Sequence, residues 1–312
     1  MDKLRSIQIF VEIAERGSLT AAAKAVGKSL PSVVRILASL EEVLQVRLLN
    51  RTTRRIALTE EGRVYLERCR RVLADIEETE RALSQRQSEP SGTIAVTAPV
   101  RFGEMHVAPA VASFLERYPK TRVELLLLDR VIDLLEEGMD IAVRIAPLAD
   151  SSLIARPVGS IRQVVCASPA LLQRVGEPAH PRELADQPCV RFTGISPGAT
   201  WEFADGDGRL AVPINSRVTC NQVGASLEAC SAGVGFGRFL CYQVMPLVAA
   251  GRLAMVLQEF EPAPTPLSVV YPHSRLLSSR VRAMADWLVE SLGHSMQSAQ
   301  SGGSIRYCRQ PE

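Results

Sequence analysis

Apolar positions recur at helical spacing through Leu44 and predict three short helices. The first spans about Leu4–Arg16, and its apolar stripe is expected to be buried: Leu4, Ile7, Phe10, Val11 and Ala14. Ser18 is placed to cap a thin, alanine-rich second helix that ends at Gly27. Ser29 is placed to cap the third, with Pro31 in its first turn. Two helices joined by a tight turn predict a helix-turn-helix, whose second helix lies in a DNA groove.

The third helix has one apolar face and one small, weakly charged face. The inward face is expected to consist of Val33, Ile36, Leu37, Leu40 and Leu44. The outward face then carries Leu30, Pro31, Ser32, Val34, Arg35 and Ala38. A face this small fits a major groove about 12 Å wide, whereas a solvated helix usually carries several Lys and Glu residues there. The pattern therefore indicates a helix that contacts base edges.

Positive charge is concentrated at this end of the chain. Residues 1–60 hold ten Lys or Arg against six Asp or Glu, whereas the whole chain has a net charge of only +2. This asymmetry favours a modular DNA binder over a nonspecific binder of polyanions. Much of the charge lies in one short arm: Arg51, Thr52, Thr53, Arg54 and Arg55. Taken alone the arm fits a solvated hairpin tip equally well, but beside the two helices it favours contact with phosphates or the minor groove.

The segment resembles the winged helix-turn-helix of LysR-type transcriptional regulators. The matching positions are Gly17–Ala23, Pro31, Val33, Arg35, Leu40-Glu41, Val46–Leu48, Arg51–Arg55, Leu58-Thr59 and Gly62. Three positions depart from the family pattern, with Leu30 in place of Gln, Val34 in place of Ser and Gln45 in place of Gly. With the resemblance, the predicted DNA-binding residues are Ser18, Thr20, Ser29, Leu30, Pro31, Ser32, Val34, Arg35, Arg51, Thr52, Thr53, Arg54 and Arg55. Because apolar side chains cannot form hydrogen bonds with bases, we expect Leu30 and Val34 to contact thymine methyl groups.

A long helix is predicted from the cap Thr59 to about Gln87, after a DNA-binding domain of residues 1–59. Its apolar seam steps alternately by three and four through Leu66, Cys69, Leu73, Ile76, Glu80 and Leu83. This spacing is typical of a coiled coil rather than of a helix on a globular core, so residues 60–88 are expected to pair two DNA-binding domains. Residues 89–92, which contain Pro90 and Gly92, break the helix and predict a hinge.

Strand and helix patterns alternate through residues 93–292. The first set is Thr93–Ala98, a helix at Gly103–Arg117, Arg122–Asp129, a helix across Val131–Gly138, and Asp140–Ile145. The second set includes Arg162–Ala167, Cys189–Phe192, a helix at Gly224–Ala232, Ala254–Phe260, Leu267–Tyr271 and a helix at Ser278–Leu292. The order predicts a largely parallel sheet with helices on both faces, in one sheet or in two subdomains.

The resemblance implies two subdomains, because in LysR-type regulators this region is similar to a periplasmic binding protein with a ligand cleft between two α/β lobes. The fold class is therefore expected to be α+β multidomain: a winged helix-turn-helix, a linker helix and a two-lobed effector-binding domain. Lobe one is placed at residues 93–163 and 269–292, and lobe two at residues 164–268. Residues 293–312 are predicted to be a disordered tail.

An effector site is expected where strands end and helices begin, because free backbone N–H groups point outward there. The candidate residues are Thr97, Ala98, Pro99, Val100, Arg101, Leu128, Asp129, Arg144, Ile145, Thr193, Gly194, Asn221, Gln222 and Val223. Arg101 and Arg144 are placed to neutralise a carboxylate, or else to form ordinary ion pairs, with Asp129 as a candidate partner. Trp201 and Phe203 fit a core role better than a cleft wall.

Other chemistry finds little support in the sequence. Gly233–Gly237 follows a helix rather than a first strand, which argues against a nucleotide site. Seven cysteines without CxxC spacing indicate reduced thiols, with a single redox-sensing cysteine as the less favoured alternative, and the four histidines lack metal-ligand spacing. No run of 18 apolar residues and no secretion signal is evident, so a cytoplasmic protein without a membrane span is expected.

We therefore expect a ligand-responsive transcriptional regulator with no enzymatic activity, no cofactor and no metal. Its expected partners are double-stranded operator DNA, a small-molecule effector for which a carboxylate is the candidate class, and further copies of the chain in a homodimer or homotetramer. RNA polymerase is a candidate partner. Two alternatives are disfavoured. A nonspecific architectural DNA binder would need more basic charge, and an enzyme with a helical cap would need a nucleophile elbow, a triad or a metal cluster.

Overall fold

The computed structural model of the chain describes residues 2–51, 56–84, 89–147, 153–195, 198–206, 208–273 and 278–301. It forms two compact units, residues 1–88 (the N-terminal unit) and residues 89–312 (the C-terminal unit). Of the predicted basic arm, Thr52, Thr53, Arg54 and Arg55 lie outside the described residues.

The N-terminal unit contains the predicted helix-turn-helix followed by a short hairpin and a long helix. Its elements are α1 (Lys3–Arg16), α2 (Leu19–Ala25), α3 (Leu30–Leu44), the antiparallel strands β1 (Leu49–Arg51) and β2 (Ile56–Leu58), and α4 (Glu60–Ser84). The stripe predicted on α1 was partly wrong, because Leu4 is 36% exposed whereas Ile9 and Ile13 are fully buried. Nearly every third and fourth residue of this segment is apolar, so periodicity alone fits two neighbouring faces. Packing against α3 selects one of them.

Two of the three predicted helix caps form as expected. The Ser18 hydroxyl accepts from the Ala21 N–H at 3.3 Å, and the Thr59 hydroxyl accepts from the Gly62 N–H at 2.9 Å. Ser29 occupies the cap position of α3, but its side chain forms no capping hydrogen bond, so that prediction was wrong. Its backbone is extended with ψ of 148°, which is the usual conformation of an N-cap residue, but its hydroxyl does not contribute to the cap.

The junction between α3, the hairpin and α4 is held by specific polar contacts. The Glu41 Oε1 atom accepts from the N–H groups of Leu48 and Leu49 at 2.8 and 3.1 Å. The Thr59 hydroxyl donates to the Arg47 carbonyl at 2.7 Å. A Cβ at Gly62 would lie 2.0 Å from the Leu48 carbonyl oxygen, so no other residue fits without moving the backbone. These contacts fix the direction in which the hairpin and α4 leave the helix-turn-helix.

The beginning of α4 packs on its own unit, contrary to the seam predicted from its spacing. Leu66 and Cys69 are buried in the same core as α1 and α3, and Leu73 packs partly against it. Arg70 adds an ion pair with Glu15 of α1, with its Nη2 and Nε atoms each 3.0 Å from the Glu15 Oε1 atom. The side chains of Glu80 and Leu83 lie outside the described residues. The 3.5-residue spacing from Leu66 to Leu73 therefore marks a face of α4 that is buried within its own unit.

Lobe one of the C-terminal unit is built on a five-stranded mixed sheet. Its elements are β3 (Gly92–Ala98), α5 (Val100–Phe102), a π-helical turn (Gly103–Val107), α6 (Ala108–Arg117), β4 (Thr121–Leu127), β5 (Ile141–Ile145) and β6 (Leu153–Ile161). β3 pairs in parallel with β4 and β5. The predicted helix across Val131–Gly138 was wrong. The Asp133 carboxylate accepts from the N–H groups of Leu135 and Glu136 and caps a short turn, which stops at Gly138 with φ of 67°.

Lobe two carries the second five-stranded sheet and a separate hairpin. Its elements are β7 (Gln163–Ala167), α7 (Pro169–Val175), a 3₁₀ turn (Pro181–Asp186), β8 (Pro188–Phe192), β9 (Thr200–Asp205), β10 (Gly208–Pro213), β11 (Asn215–Cys220), α8 (Val223–Ser231), β12 (Phe236–Leu240), α9 (Cys241–Ala249), β13 (Ala254–Val256) and a 3₁₀ turn (Gln258–Phe260). The sheet order is β11-β8-β12-β7-β13. Trp201 and Phe203 of the hairpin are almost fully buried in this lobe, which confirms the core interpretation.

The chain returns to lobe one through β14 (Thr265–Pro272) and ends in α10 (Ser279–Ser301), and the lobe-one sheet has the order β4-β3-β5-β14-β6. β14 pairs antiparallel with β5 and β6, so the sheet is less parallel than predicted. The boundary predicted at residues 268 and 269 falls inside β14. α10 continues to Ser301 and buries Met296, so the predicted disordered tail was wrong for residues 293–301, and residues 302–312 lie outside the described residues.

The two crossovers between the lobes are tied together. Arg162, between β6 and β7, forms a two-pronged ion pair with Glu261 through its Nε and Nη2 atoms at 2.6 and 2.5 Å, and both side chains are largely buried. Gln163 donates to the Thr265 hydroxyl at 3.0 Å beside it. The two crossovers therefore contact each other through an ion pair and a hydrogen bond where the chain passes between the lobes.

We predict that a glycine at position 45 is more stable than an alanine there. Gln45 ends α3 with φ of 54° and ψ of 29°, a left-handed conformation that costs a residue with a Cβ about 1–2 kcal/mol. Its Nε2 atom also donates to the Glu42 carbonyl at 2.8 Å, and both variants lose this bond. Urea unfolding of residues 1–88 at one protein concentration should therefore give Gln45→Gly a free energy of unfolding about 1 kcal/mol above that of Gln45→Ala. Equal values would show that the backbone at residue 45 is unstrained.

Candidate DNA interface and ligand cleft

The exposed residues of α3 form one continuous surface over its first two turns. Leu30 is 41% exposed, Pro31 and Arg35 are exposed, and Ser32 and Val34 are half-buried. On the opposite side Val33, Leu37 and Leu40 are fully buried. The outward face predicted from the sequence is thus available to a ligand, and Leu30 offers apolar surface on it.

Other predicted DNA-binding residues lie at the start of α2 and in the hairpin. Thr20 is exposed in the first turn of α2, and Ser18 is half-buried with its hydroxyl engaged in the cap. Arg51 is the last residue of β1, and its side chain lies outside the description. Exposed helix N-termini and an adjacent basic hairpin are the arrangement that contacts two phosphate strands around a groove.

A cleft of about 150 Å³ lies between the two lobes, where strands of both sheets end. The predicted effector residues that line it are Thr97, Ala98, Pro99, Leu128, Asp129, Arg144, Ile145 and Gly194. The remaining lining residues were not predicted from the sequence: Arg130, Val131, Ile132, Ala142, Val143, Ala146, Phe192, Ile195, Leu240, Tyr242 and Gln243. The predicted residues therefore make up about half of the lobe-one wall of the cleft. Of the lobe-two wall, they include only Gly194.

Six of the predicted effector residues do not line the cleft. Asn221 and Gln222 are exposed and Val223 is buried in the core, because β11 is an edge strand of its sheet and ends away from the cleft. The Thr193 N–H donates to the Cys220 carbonyl at 2.9 Å. The strand that replaces β11 at the cleft is β12, whose last residue Leu240 is followed by α9. Val100 and Arg101 are half-buried and do not line the cleft.

The missed part of lobe two had a sequence signal. Phe236–Leu240 is a short run with three apolar residues immediately after Gly235, and this pattern is typical of a buried strand. The preceding glycines support the same assignment, because a Cβ at Gly235 would lie 2.3 Å from the Pro188 carbonyl oxygen on the neighbouring strand. The glycine-rich segment is therefore a site of close strand approach.

The carboxylate of Asp129 is held at the cleft with one oxygen satisfied. Its Oδ1 atom accepts from the Val100 N–H at 3.0 Å, whereas Oδ2 is buried and has no hydrogen-bond partner among the described residues. Burial raises the pKa of the Asp129 carboxyl. The Val100 hydrogen bond opposes this rise, and the negative charge of Glu104 adds to it.

The two candidate arginines have different positions. Arg101 lies outside the cleft lining and pairs with Glu104 at 3.1 Å, so the ion-pair interpretation holds for it with Glu104 in place of Asp129. Arg144 lines the cleft, and its Nη2 atom donates to the Ile132 carbonyl at 2.7 Å. Of the two, only Arg144 has a guanidinium group placed to meet a ligand.

Aromatic and amide side chains of lobe two complete the cleft. Tyr242 is almost fully buried, and burial raises the pKa of its phenol. The Gln243 amide donates to the Tyr242 hydroxyl at 3.2 Å and accepts from the Leu240 N–H at 3.0 Å, which fixes both side chains at the start of α9. Behind Tyr242, burial lowers the pKa of His106, whose Nδ1 atom lies 3.1 Å from the Ser295 hydroxyl.

In the described part of the chain, five of the six cysteines are buried and Cys220 is half-buried. Within that part, no group of three or more His, Cys, Asp or Glu side chains is arranged to hold a metal ion, and no helix is both long and apolar enough to cross a bilayer. Cys166 and Cys230 lie with their sulfur atoms 3.9 Å apart in the core. Burial raises the pKa of Cys189 to about 12 and that of Cys241 to about 11, so these thiols are poor nucleophiles near neutral pH.

Comparison with known proteins covers both units. Residues 4–63 match the family described as "Bacterial regulatory helix-turn-helix protein, lysR family", and residues 87–293 match "LysR substrate binding domain". The chain is 36% identical over 298 residues to an HTH-type transcriptional regulator of Xanthomonas campestris pv. campestris, which covers 93% of this chain and 85% of that protein. It is 34% identical over 291 residues to the HTH-type transcriptional regulator CrgA of Neisseria meningitidis serogroup B, with coverage of 93% and 97%.

Two solved structures share the architecture. The structure of CrgA, a LysR-type transcriptional regulator from Neisseria meningitidis, has a TM-score of 0.59 at 34% identity and covers 93% of this chain and 98% of that chain. The full-length structure of AphB, a virulence activator of Vibrio cholerae, also has a TM-score of 0.59, at 26% identity, and covers 92% and 98%.

Proposed function

The chain belongs to the LysR family of bacterial transcriptional regulators, and from this premise we propose that α3 binds operator DNA while the cleft between the lobes binds a small-molecule effector. The observation that carries the proposal is the exposed, nearly uncharged face of α3 in a unit separate from the one that holds the cleft. The function is regulatory rather than enzymatic, and no observation in the described residues favours either alternative function.

Each part of the α3 face has a specific role in this proposal. The Arg35 guanidinium has the fork of donors that binds O6 and N7 of guanine. Leu30 and Val34 lie within about one turn of it and offer apolar surface to thymine methyl groups. The Ser29 hydroxyl makes no capping bond, so it is available to a phosphate oxygen together with Thr20. Arg51, Arg54 and Arg55 supply phosphate or minor-groove contacts from the hairpin.

A second copy of the chain is proposed to pack on the face of α4 that the first copy leaves open. Val64 is 57% exposed and Val72 is 47% exposed, on the side of α4 away from Leu66 and Cys69. Next to them is an open groove of about 360 Å³, lined by Leu44, Val46, Leu48, Glu60, Glu61, Val64, Tyr65 and Arg68. α4 has 25 residues, and among its described side chains Val64 and Val72 offer exposed apolar surface to a partner helix.

Dimerisation is expected to couple the two activities. Paired DNA-binding units contact two half-sites separated by about one helical turn or a multiple of it. An effector that binds one arrangement of the lobes more tightly shifts the equilibrium toward that arrangement, and this difference changes the spacing of the paired units. A homotetramer and a contact with RNA polymerase extend the same proposal, and a carboxylate is the proposed effector class.

We predict that Arg35→Ala removes sequence-specific DNA binding and leaves the fold intact. Loss of a bidentate contact to a base costs about 1–3 kcal/mol, so the Kd for the DNA upstream of the chain's own gene should rise by about 5- to 150-fold. Fluorescence anisotropy measures this Kd against unrelated DNA of the same length.

Arg5→Ala is the matched control for Arg35→Ala. Arg5 is exposed in the first turn of α1, on a different helix from Arg35, and its loss removes the same charge. It should weaken binding to both DNAs equally and slightly. Equal losses in the two variants would show that Arg35 acts only through its charge and would contradict the proposed base contact.

We also predict that Val64→Glu combined with Val72→Glu halves the mass of the assembly. Two charges on this face must lose water if a second α4 packs there, and unpaired buried charges are strongly unfavourable. Sedimentation equilibrium should show a tetramer becoming a dimer, or a dimer becoming a monomer. Val175→Glu, at an exposed valine of α7, is the control and should not change the mass. An unchanged mass in the double variant would place the interface elsewhere.

A further inference from the structure

The unsatisfied oxygen of Asp129 constrains what can bind in the cleft. The Val100 N–H fixes the carboxylate by its Oδ1 atom, which leaves Oδ2 buried without a partner among the described residues. Buried polar atoms in native proteins are nearly always hydrogen-bonded, and an exception calls for an absent water, ion or ligand. Because Asp129 lines the cleft, a ligand there is positioned to supply the donor.

Arg144, on the same wall, needs a hydrogen-bond acceptor from the ligand, whereas Asp129 needs a donor. Its Nη2 atom is anchored on the Ile132 carbonyl, and the guanidinium carries further N–H groups in a planar fork. Asp129 follows β4 and Arg144 is in β5, with β3 between them, so their backbones are two strand spacings apart, about 10 Å. The long arginine side chain shortens this gap, because it reaches toward Ile132 in the loop that follows Asp129. A single compact molecule can therefore meet both groups.

Most of the remaining wall is apolar, although Thr97, Arg130 and Gln243 also line it; the Arg130 guanidinium pairs with Glu137 at 2.9 Å, and the Gln243 amide is bonded to Tyr242 and Leu240. Ile132, Phe192, Ile195, Leu240 and the ring of Tyr242 line the cleft between these two polar groups. The volume of about 150 Å³ is below the range of about 300–1,000 Å³ typical of sites for drug-sized molecules. Such a space favours a metabolite with a short apolar body over a sugar, a nucleotide or a peptide.

We propose that the effector is a small carboxylic acid that also carries a hydroxyl or amine group, with the acid bound by Arg144 and the donor group bound by Asp129. The inference rests on the proposed function of the cleft and makes its ligand class specific. An acid without a donor would leave the Asp129 oxygen unsatisfied. A ligand without an acid would leave the anchored Arg144 guanidinium without a counter-charge on its cleft side.

The test uses pairs of acids that differ only in one donor group, bound to the full-length protein in isothermal titration calorimetry. The pairs are 4-hydroxybenzoate and benzoate, 4-aminobenzoate and benzoate, 3-hydroxybutyrate and butyrate, and 2-hydroxy-4-methylpentanoate and 4-methylpentanoate. In at least one pair, the donor-bearing acid should bind about tenfold or more tightly than its partner, because a hydrogen bond to a charged group is lost in the partner. Failure of every acid to bind, or equal binding within every pair, overturns the proposal.

Variants of the two anchors separate their roles. Asp129→Asn keeps an oxygen for the Val100 N–H but presents an amide to the ligand, so it should bring the affinities of the two members of the responsive pair together. Arg144→Gln should weaken both members about equally. Asp186→Asn, at an exposed aspartate of lobe two, is the control and should change neither affinity. A preference for the donor-bearing acid that persists in Asp129→Asn contradicts the assignment of Asp129.

Failure here is distinguishable from failure of the proposed function. Neutral 4-hydroxybenzamide and phenol are titrated beside the acids. Binding of these neutral probes without binding of any acid would overturn the ligand class and leave the cleft as an effector site. Specific operator binding in the anisotropy assay, with no probe bound, would likewise overturn only the ligand class. Absence of specific DNA binding by the wild-type chain would overturn the function itself.

Discussion

Burial of one face of α3 against α1 is the constraint on which the DNA-binding unit depends. Val33, Leu37 and Leu40 are fully buried, and each such side chain contributes about 1.5–3 kcal/mol to folding. With 3.6 residues per turn, burial of these positions forces residues between them outward, including Arg35 and Ala38, whereas Leu30 lies one heptad before Leu37 and is exposed in the first turn of the helix. The exposure of Leu30 forgoes a stabilisation of the same order, which is consistent with a side chain whose partner is outside the unit. The same helical geometry therefore places the stabilising side chains on one side of α3 and the exposed surface on the other.

The helix α4 divides its surface between two tasks in a similar way. Leu66 and Cys69 complete the core of their own unit, and the contact of Thr59 with the Arg47 carbonyl sets the direction in which α4 leaves the hairpin. Val64 and Val72 lie on a different face and stay exposed. Because the same helix is part of the core and offers this open face, the second copy proposed to pack on it would be held in a fixed relation to α3. That fixed relation is what two half-sites in DNA require.

The cleft of the C-terminal unit follows from sheet topology. Parallel strands end on one edge, so β3, β4 and β5 bring Thr97, Asp129 and Arg144 to one place although they are far apart in sequence. The ion pair of Arg162 with Glu261 then ties the two crossovers that join the lobes.

Local physics along the chain determined much of this protein. Helical periodicity, the caps Ser18 and Thr59 and the small outward face of α3 specified the DNA-binding unit, since each depends on residues within a few turns of one another. The strands that carry Thr97 and Arg144, and the strand before Asp129, could be placed for the same reason, and so could eight of the 19 residues that line the cleft.

Tertiary structure decided what local patterns leave open. The seam through Leu66 and Cys69 has the spacing of a coiled coil, but only packing shows that its partner is α1 of the same chain. The place of Tyr242 and Gln243 at the cleft depends on the order of strands in lobe two, and the exclusion of Asn221 depends on β11 lying at its edge. Periodicity gives the face of an element that is buried, whereas the neighbour that buries it is set by contacts between residues distant in sequence.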